Sequence, residues 1–123
     1  MELVTGGAGF IGSHLVDSLT SQGKHVRVLD NFSSGREEFL SHHASSGMVE
    51  VVRGDLLDLE SVMSAMEGVD TVHHMAANPD IRLGISVTDT DLKQGTIATY
   101  NVLESMRMEG VSRISFSSSS AVY

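Results

Sequence analysis

The chain has 123 residues, 41% hydrophobic and 20% charged, with no cysteine and a formal net charge of −8 at pH 7. This length allows one small domain, and an acidic surface repels phosphate backbones and acidic lipid, so we expect neither nucleic acid nor a membrane surface as partner. The lack of cysteine excludes disulfides and zinc–thiolate sites, and we expect a cytoplasmic protein.

Strand-like and helix-like segments alternate along the chain. Residues 3–5 predict a buried strand, and a glycine loop at residues 6–9 leads into a helix that ends at Gly23. A strand at residues 26–29, a short helix near residues 36–44 and a strand at residues 49–52 follow. A second long helix stops at Gly68 before a strand at residues 71–75, and a helix over about residues 88–108 precedes a strand at residues 113–116. The apolar stripes expected on the three main helices are Ile11, Leu15 and Leu19; Leu59, Val62, Met63 and Met66; and Leu92, Thr96, Thr99, Leu103 and Met106.

Strict alternation of strands and helices indicates parallel pairing, because only a crossover helix returns the chain to the same end of the sheet. Such crossovers are almost always right-handed. The sequence therefore predicts an α/β fold: a Rossmann-type, doubly wound parallel sheet of five strands in the order 3-2-1-4-5, formed by a single domain over residues 1–123.

The strongest chemical signal is the run from Thr5 to Gly12, which leaves a strand and enters a helix. Backbone N–H groups at a helix N-terminus attract a pyrophosphate, and a Cβ atom at Gly6 or Gly9 would obstruct its approach. We expect Gly12 to let the helix pack tightly against the strand. The alternative is an ordinary strand-to-helix turn.

Two acidic residues end neighbouring strands at the edge where ligands bind in such sheets. Asp30 stands where a carboxylate accepts both ribose hydroxyls of an adenosine, and its charge favours NAD over NADP, although Arg36 could accommodate a 2′-phosphate. Asp55 could accept the adenine amino group while Leu56 packs on the ring. Taken alone, each acid could instead be an exposed turn residue.

These motifs and several others resemble those of the extended short-chain dehydrogenase/reductase family, and within it the nucleotide-sugar epimerases and dehydratases, with UDP-glucose 4-epimerases the nearest. The resemblance covers the whole chain and implies an NAD-dependent enzyme that transiently oxidises a nucleotide-sugar. The segments that carry it are residues 4–15, Leu29-Asp30-Asn31, Gly54-Asp55-Leu56, His74-Met75-Ala76-Ala77, Asn101-Val102-Leu103-Glu104 and residues 116–123.

The resemblance also assigns roles to single residues. Ser119 matches the catalytic serine, whose hydroxyl hydrogen-bonds the sugar oxygen that is oxidised, and Ser118 would lie close to the nicotinamide. The remaining positions implied for NAD are Phe10 and Ile11 at the pyrophosphate; Asp30, Asn31, Ser33, Ser34 and Gly35 at the adenosine ribose; Asp55 and Leu56 at adenine; and Met75, Ala76, Ala77 and Asn78 along the cofactor's path.

Two departures from the family pattern stand out. Gly95 replaces a usual asparagine, and the sequence has no tyrosine four residues before a lysine, the pair that forms the general base: Tyr100 is followed at that spacing by Glu104, and Tyr123 is the last residue. We therefore expect a truncated, N-terminal cofactor-binding part, inactive alone and prone to form a homodimer. The alternatives are a stand-alone NAD-binding module, a truncated chain that survives by self-association, and a dehydratase or reductase of the same family.

Two histidine pairs are candidate metal ligands. His73 and His74 are neighbours on a strand and should point to opposite faces. His42 and His43 lie in a polar segment with no third ligand at a useful sequence spacing. The sequence therefore predicts no metal site.

Overall fold

A five-stranded parallel sheet forms the centre of the molecule in the computed structural model, which describes residues 1–80 and 82–119. The strand order is β3-β2-β1-β4-β5, as predicted. Tyr123, and with it residues 120–122 of the last motif segment, lie outside the described residues. The strands are β1 Glu2–Thr5, β2 Val26–Asp30, β3 Val49–Arg53, β4 Thr71–His74 and β5 Arg113–Phe116; the α-helices are α1 Phe10–Ser21, α2 Leu59–Met66, α3 Leu83–Ser86 and α4 Ala98–Glu109.

Apolar side chains cover both faces of the sheet, because successive residues of a buried strand point to opposite sides. Leu3 belongs to a core cluster that contains residues of α2 and α4, whereas its neighbour Val4 packs in a second cluster with Val16 and Leu19 of α1. Helices therefore lie on both faces, which confirms the doubly wound prediction.

The predicted apolar stripes are only partly buried. On α1 the buried face consists of Gly12, Ser13, Val16 and Leu19, while Ile11 is 68% exposed. On α2, Val62 and Met66 are buried as expected. A spacing of four residues advances 400° around a helix, so a stripe built only from that spacing drifts away from the face that meets the sheet.

The long helix expected at residues 88–108 is present as a continuous helical segment over residues 90–109, but its first part is irregular. Residues 92–97 form a π-helical stretch that runs into α4. The buried face of α4 consists of Ala98, Asn101, Val102, Ser105 and Met106. Of the predicted stripe, Met106 is buried and Thr99 half-buried, whereas Leu92, Thr96 and Leu103 are exposed. Glycine and threonine inside the π-helical segment disfavour a regular α-helix there. The short helix expected near residues 36–44 is a pair of 3₁₀ turns, Glu37–Phe39 and Ser41–His43.

The two outer strands of the sheet differ in how they are covered. β5 has an exposed residue at every position, and it includes Ile114 and Phe116. β3 has two partly buried positions among exposed ones. Within the described part of the chain, none of the helices combines the length and the apolar character needed to cross a membrane.

Candidate cofactor-binding site

A cavity of about 610 Å³ lies at the carboxyl ends of the first four strands. Gly6 follows β1, Asp30 ends β2, Gly54 follows β3 and Met75 follows β4, so their side chains or backbones meet at one edge of the sheet. This edge is where parallel α/β sheets bind ligands. The cavity is lined by fifteen of the residues that the sequence analysis had assigned to the cofactor: Gly6, Gly9, Phe10, Ile11, Gly12, Asp30, Asn31, Ser33, Ser34, Gly35, Asp55, Leu56, Met75, Ala76 and Ala77.

The glycine loop packs so closely on its surroundings that two of its glycines are required by the protein itself. Gly6 has a φ of +69°, and a Cβ atom there would lie 2.7 Å from Cα of Ala76. A Cβ atom at Gly12 would collide with the carbonyl oxygen of Gly6 and lie 2.8 Å from Cα of Gly7. At Gly12 the close contact is with the backbone of the loop that directly follows β1, so the missing side chain lets the start of α1 lie against that loop. For Gly6, the close contact is with the chain after β4.

Gly9 is the least crowded of the loop glycines. A Cβ atom there would meet only the carbonyl oxygen of Gly6, at 3.3 Å. Gly9 is also the N-cap of α1, and no side chain caps that terminus. The first N–H groups of a helix lack partners within the helix, so those of the first turn of α1 are available to an anion. Phe10 and Ile11 extend from this turn and are 71% and 68% exposed.

The carboxylate of Asp30 joins the glycine loop to the turn after β2. Its Oδ2 accepts a hydrogen bond from the backbone N–H of Ala8 at 3.0 Å, and its Oδ1 accepts one from that of Phe32 at 2.8 Å. Phe32 has a φ of +59°, a left-handed conformation that is uncommon outside glycine. The hydrogen bond from its N–H to Asp30 holds the residue in this turn. Asp30 thus places a negative charge in the cavity wall in a fixed position.

The residues after β3 are fixed by a side chain from α4. Asn101 is 6% exposed and donates a hydrogen bond from Nδ2 to the carbonyl oxygen of Leu56 at 2.7 Å. Oδ1 of Asp55 accepts a hydrogen bond from the N–H of Leu57 at 2.9 Å, which holds this carboxylate at the edge of the cavity. The sequence analysis quoted Asn101 as part of a motif but gave it no task.

A buried histidine ends β4, directly before the residues of this strand end that line the cavity. His74, 1% exposed at the end of β4, pairs its Nδ1 with Oγ1 of Thr5 at 2.7 Å and its Nε2 with Oγ1 of Thr99 at 3.0 Å. Its ring stacks on that of Phe116, with 5.7 Å between centroids. Burial lowers the pKa of His74, because a charged imidazolium is poorly solvated there. His73 instead meets Glu2, so the two histidines do point to opposite faces.

Residues 2–123 match the NAD dependent epimerase/dehydratase family. The chain belongs to this family. It is 38% identical to a 3 beta-hydroxysteroid dehydrogenase/Delta 5-->4-isomerase of Mycobacterium tuberculosis, a match that covers 98% of this chain and 32% of the relative. It is 37% identical to a UDP-glucose 4-epimerase of Halalkalibacterium halodurans, with coverages of 98% and 35%.

A solved structure shows the same fold. The crystal structure of a Thermus thermophilus UDP-glucose 4-epimerase in complex with NAD superposes with a TM-score of 0.82 at 36% identity, over 92% of this chain and 35% of that one. The chain thus spans about a third of the length of these relatives. The predicted family resemblance and the predicted sheet are both confirmed.

Three residues that the family resemblance had pointed to lie outside the cavity wall. Asn78 donates a hydrogen bond to the carbonyl oxygen of Asp80 at 2.8 Å and holds the turn after the cavity. Ser118 and Ser119 follow β5 and are exposed. The segment stays near β4, because the N–H of Ser117 donates to the carbonyl oxygen of His74 at 3.4 Å.

The cavity also contains residues that the sequence analysis did not assign to it. Arg36 is notable because it had been considered for a 2′-phosphate, and it does line the cavity. Gly54 stood beside two assigned residues, so its position in the motif was a usable signal. Most of the others come from turns and the π-helical segment, where no periodic pattern marks the inner face. The full set is Leu29, Arg36, Phe39, Gly54, Pro79 and Gln94.

Proposed function

We propose that this chain binds NAD in the cavity at the strand ends and forms the cofactor-binding part of a nucleotide-sugar 4-epimerase. The observation that carries the proposal is the combination of an uncapped helix N-terminus, the bare backbone of Gly9 in the cavity wall and a fixed carboxylate at Asp30 in the same cavity. A dinucleotide needs donors for its pyrophosphate and an acceptor for its ribose hydroxyls, and this cavity offers both.

The lining residues divide between the parts of such a cofactor. We assign the pyrophosphate to the first turn of α1, where Phe10 and Ile11 flank the N–H groups, and the adenosine ribose to Asp30 and the turn at residues 31–35. Asp55 and Leu56 would meet adenine. The small side chains of Ala76 and Ala77 leave a path toward β5, where Ser118 would lie near the nicotinamide.

Sugar chemistry needs groups beyond this cavity. NAD, when bound, supplies the hydride acceptor for the transient oxidation of a sugar hydroxyl. We propose that Ser119 donates a hydrogen bond to that oxygen. The sequence holds no tyrosine four residues before a lysine, so we assign the proton-accepting base and the sugar pocket to a part of the protein outside these residues.

The proposed reaction rests on the epimerases among the relatives, namely the Halalkalibacterium halodurans enzyme and the NAD complex from Thermus thermophilus. The hydroxysteroid dehydrogenase is equally similar to this chain, which is expected if the shared third of the sequence is devoted to the cofactor. We further propose a homodimer, and a cytoplasmic location stays a prediction.

The test is calorimetric titration of the 123-residue chain with NAD, using Gly9→Val. Gly9 has φ −79° and ψ 177°, an extended conformation that valine adopts readily, so the variant should fold. Its side chain would occupy the phosphate position and abolish binding. Gly95→Ala is the matched control, since nothing lies within 4 Å of a Cβ atom there. Normal NAD affinity in folded Gly9→Val would show that the loop is not the cofactor site.

A further inference from the structure

Three side chains from two separate segments converge on one point of the surface, away from the cofactor cavity. Nε2 of His42 lies 2.7 Å and Nε2 of His43 lies 2.6 Å from the same oxygen, Oδ1 of Asp17. The two imidazole rings are tilted to each other with centroids 4.1 Å apart. Asp17 lies on α1, and the histidines form the second 3₁₀ turn.

We propose that Asp17, His42 and His43 form a binding site for a divalent first-row transition ion, with Zn²⁺ as the representative. Two imidazole nitrogens and one carboxylate oxygen are a donor set that Zn²⁺ takes together with a solvent molecule in the fourth position. The sequence analysis found no third ligand for the histidines because Asp17 lies 25 residues before His42. The fold brings it there by packing the 3₁₀ turns beside α1.

The ligand atoms need only small movements to take an ion. In a tetrahedral zinc site, ligands at roughly 2.0–2.1 Å from the metal are about 3.3 Å apart, so each nitrogen–oxygen distance must open by about 0.7 Å. The side chains of Asp17 and His42 are 47% and 56% exposed and can move, whereas that of His43 is 11% exposed and fixes the position of the site.

The chemistry of the cluster also predicts which ions it selects. Imidazole suits zinc, copper and nickel, whereas Mg²⁺ and Ca²⁺ require sets made of oxygen ligands. The acidic charge of the chain raises the local concentration of cations in general and does not discriminate among them. Binding of Zn²⁺ without binding of Mg²⁺ would therefore indicate that the histidines are ligands.

Such an ion would join α1 to the segment that closes one side of the cofactor cavity. Residues 36–43 supply Arg36 and Phe39 to that cavity, and His43 lines a second cavity of about 420 Å³ beside β3. A ligand that binds the folded state but not the unfolded state stabilises the folded state by mass action. We therefore expect zinc to raise the melting temperature of the chain.

The experiment titrates the chain, free of any polyhistidine tag and stripped with a chelator, with ZnCl₂ by calorimetry at neutral pH. We expect one zinc per chain and no binding of MgCl₂. Asp17→Asn keeps a hydrogen-bond acceptor but removes the anionic ligand, and His43→Gln removes one nitrogen. Each should weaken the affinity at least about tenfold, since even outer-shell changes at zinc sites have effects of this size.

His25→Gln is the matched control, because His25 is an exposed histidine outside the cluster. It should leave zinc affinity unchanged. Circular dichroism checks that each variant folds, and His42→Gln, at the most exposed ring of the three, replaces any variant that does not. The proposal is overturned if no zinc binds. It is also overturned if folded Asp17→Asn and a folded histidine variant (His43→Gln or His42→Gln) both bind zinc as tightly as the unaltered chain does. In that case the cluster is a hydrogen-bonded ion pair only.

Discussion

At the scale of single residues, Asp30 combines a structural and a recognition task. Its two oxygens hold the glycine loop and the turn after β2, so the carboxylate cannot swing away from an incoming ligand. Arg36, the cation that could attract a 2′-phosphate, lines the same cavity but belongs to the exposed turn segment. The carboxylate of Asp30 and the guanidinium of Arg36 therefore have opposite effects on the binding of a 2′-phosphate.

We expect the charge of Asp30 to dominate, so that the chain binds NAD at least about tenfold more tightly than NADP, which corresponds to about 1.4 kcal/mol. Asp30→Asn removes the repulsion and should narrow this ratio, while Arg36→Ala should leave the preference for NAD in place. Titration of each variant with both cofactors measures the ratios. Equal affinities for NAD and NADP in the unaltered chain would contradict the assignment of Asp30.

His74 makes the stability of the chain depend on pH. Burial places its pKa below the ordinary value of 6.5, so between these two values the unfolded chain binds a proton that the folded chain does not. The unfolded state is then favoured as the pH falls through about 6.5, and the loss ends once the pH lies below the folded pKa. The two hydrogen-bond partners of the ring, Thr5 and Thr99, carry no charge and so do not favour the protonated form of His74.

We therefore expect the free energy of unfolding to decrease on acidification from about pH 7 to about pH 5, and to decrease less in His74→Gln. Urea unfolding at several pH values provides the measurement. The matched control is His25→Gln, which removes an exposed histidine and should retain the slope of the unaltered chain. An identical slope in His74→Gln would locate the pH dependence elsewhere.

At the scale of elements, α4 positions the cavity wall through one side chain. Asn101 reaches from the buried face of the helix to the carbonyl of Leu56, which follows β3 and lines the cavity. The helix is preceded by π-helical residues, so its register on the sheet is set by its own buried residues and by this bond. Through the side-chain amide of Asn101, α4 thus holds the loop after β3, which belongs to a different strand-to-strand connection.

Replacing Asn101 by alanine should lower the free energy of unfolding by about 1–3 kcal/mol, because a buried carbonyl loses its donor. NAD affinity should fall as well, since Leu56 is no longer held. Met108→Ala, at an exposed position of the same helix, should change stability by no more than about 0.5 kcal/mol. Denaturant unfolding and NAD titration report the two effects. If Asn101→Ala were as stable as Met108→Ala, the hydrogen bond from Asn101 to the carbonyl of Leu56 would not contribute to stability, which would contradict this role of Asn101.

At the scale of the whole molecule, β5 is one of the two edge strands of the described sheet, and it is exposed at every position. β5 pairs only with β4 among the described strands, and Ile114 and Phe116 are 38% and 57% exposed. An edge strand with unpaired backbone groups and apolar side chains is a template for pairing with another chain. The outer face of α4 adds Tyr100, Leu103 and Met108, which are also exposed.

We expect a polypeptide of these 123 residues to self-associate with rising concentration, and Ile114→Lys to weaken the association. Light scattering over a concentration series measures it. Ile85→Lys is the control, because Ile85 is an equally apolar, exposed residue that belongs to α3 and not to β5. A chain that stays monomeric throughout, with slow amide exchange at Arg113–Phe116, would show that the edge is covered.

The sequence predicted those features that depend on local pattern. Short strand-like runs marked all five strands, and the loop from Gly6 to Gly12 located the cavity. The buried faces of α1 and α4 were predicted only in part. On α1 the stripe was built from a four-residue spacing, which drifts around the helix, and on α4 the buried face includes polar residues such as Asn101, which is hydrogen-bonded. Asp17 was missed as a neighbour of His42 because only tertiary packing joins them.

The central position of β1 has a consequence for the order of folding. Glu2 pairs with Val26 on one side and with Thr71 on the other, so among the five described strands β1 waits longest for its second neighbour during synthesis. Contacts between distant residues form late, because closing the long loop between them costs entropy before any packing is gained. Until β4 has left the ribosome, β1 therefore has one unpaired edge, and Leu3 lacks the Val72 side of its core.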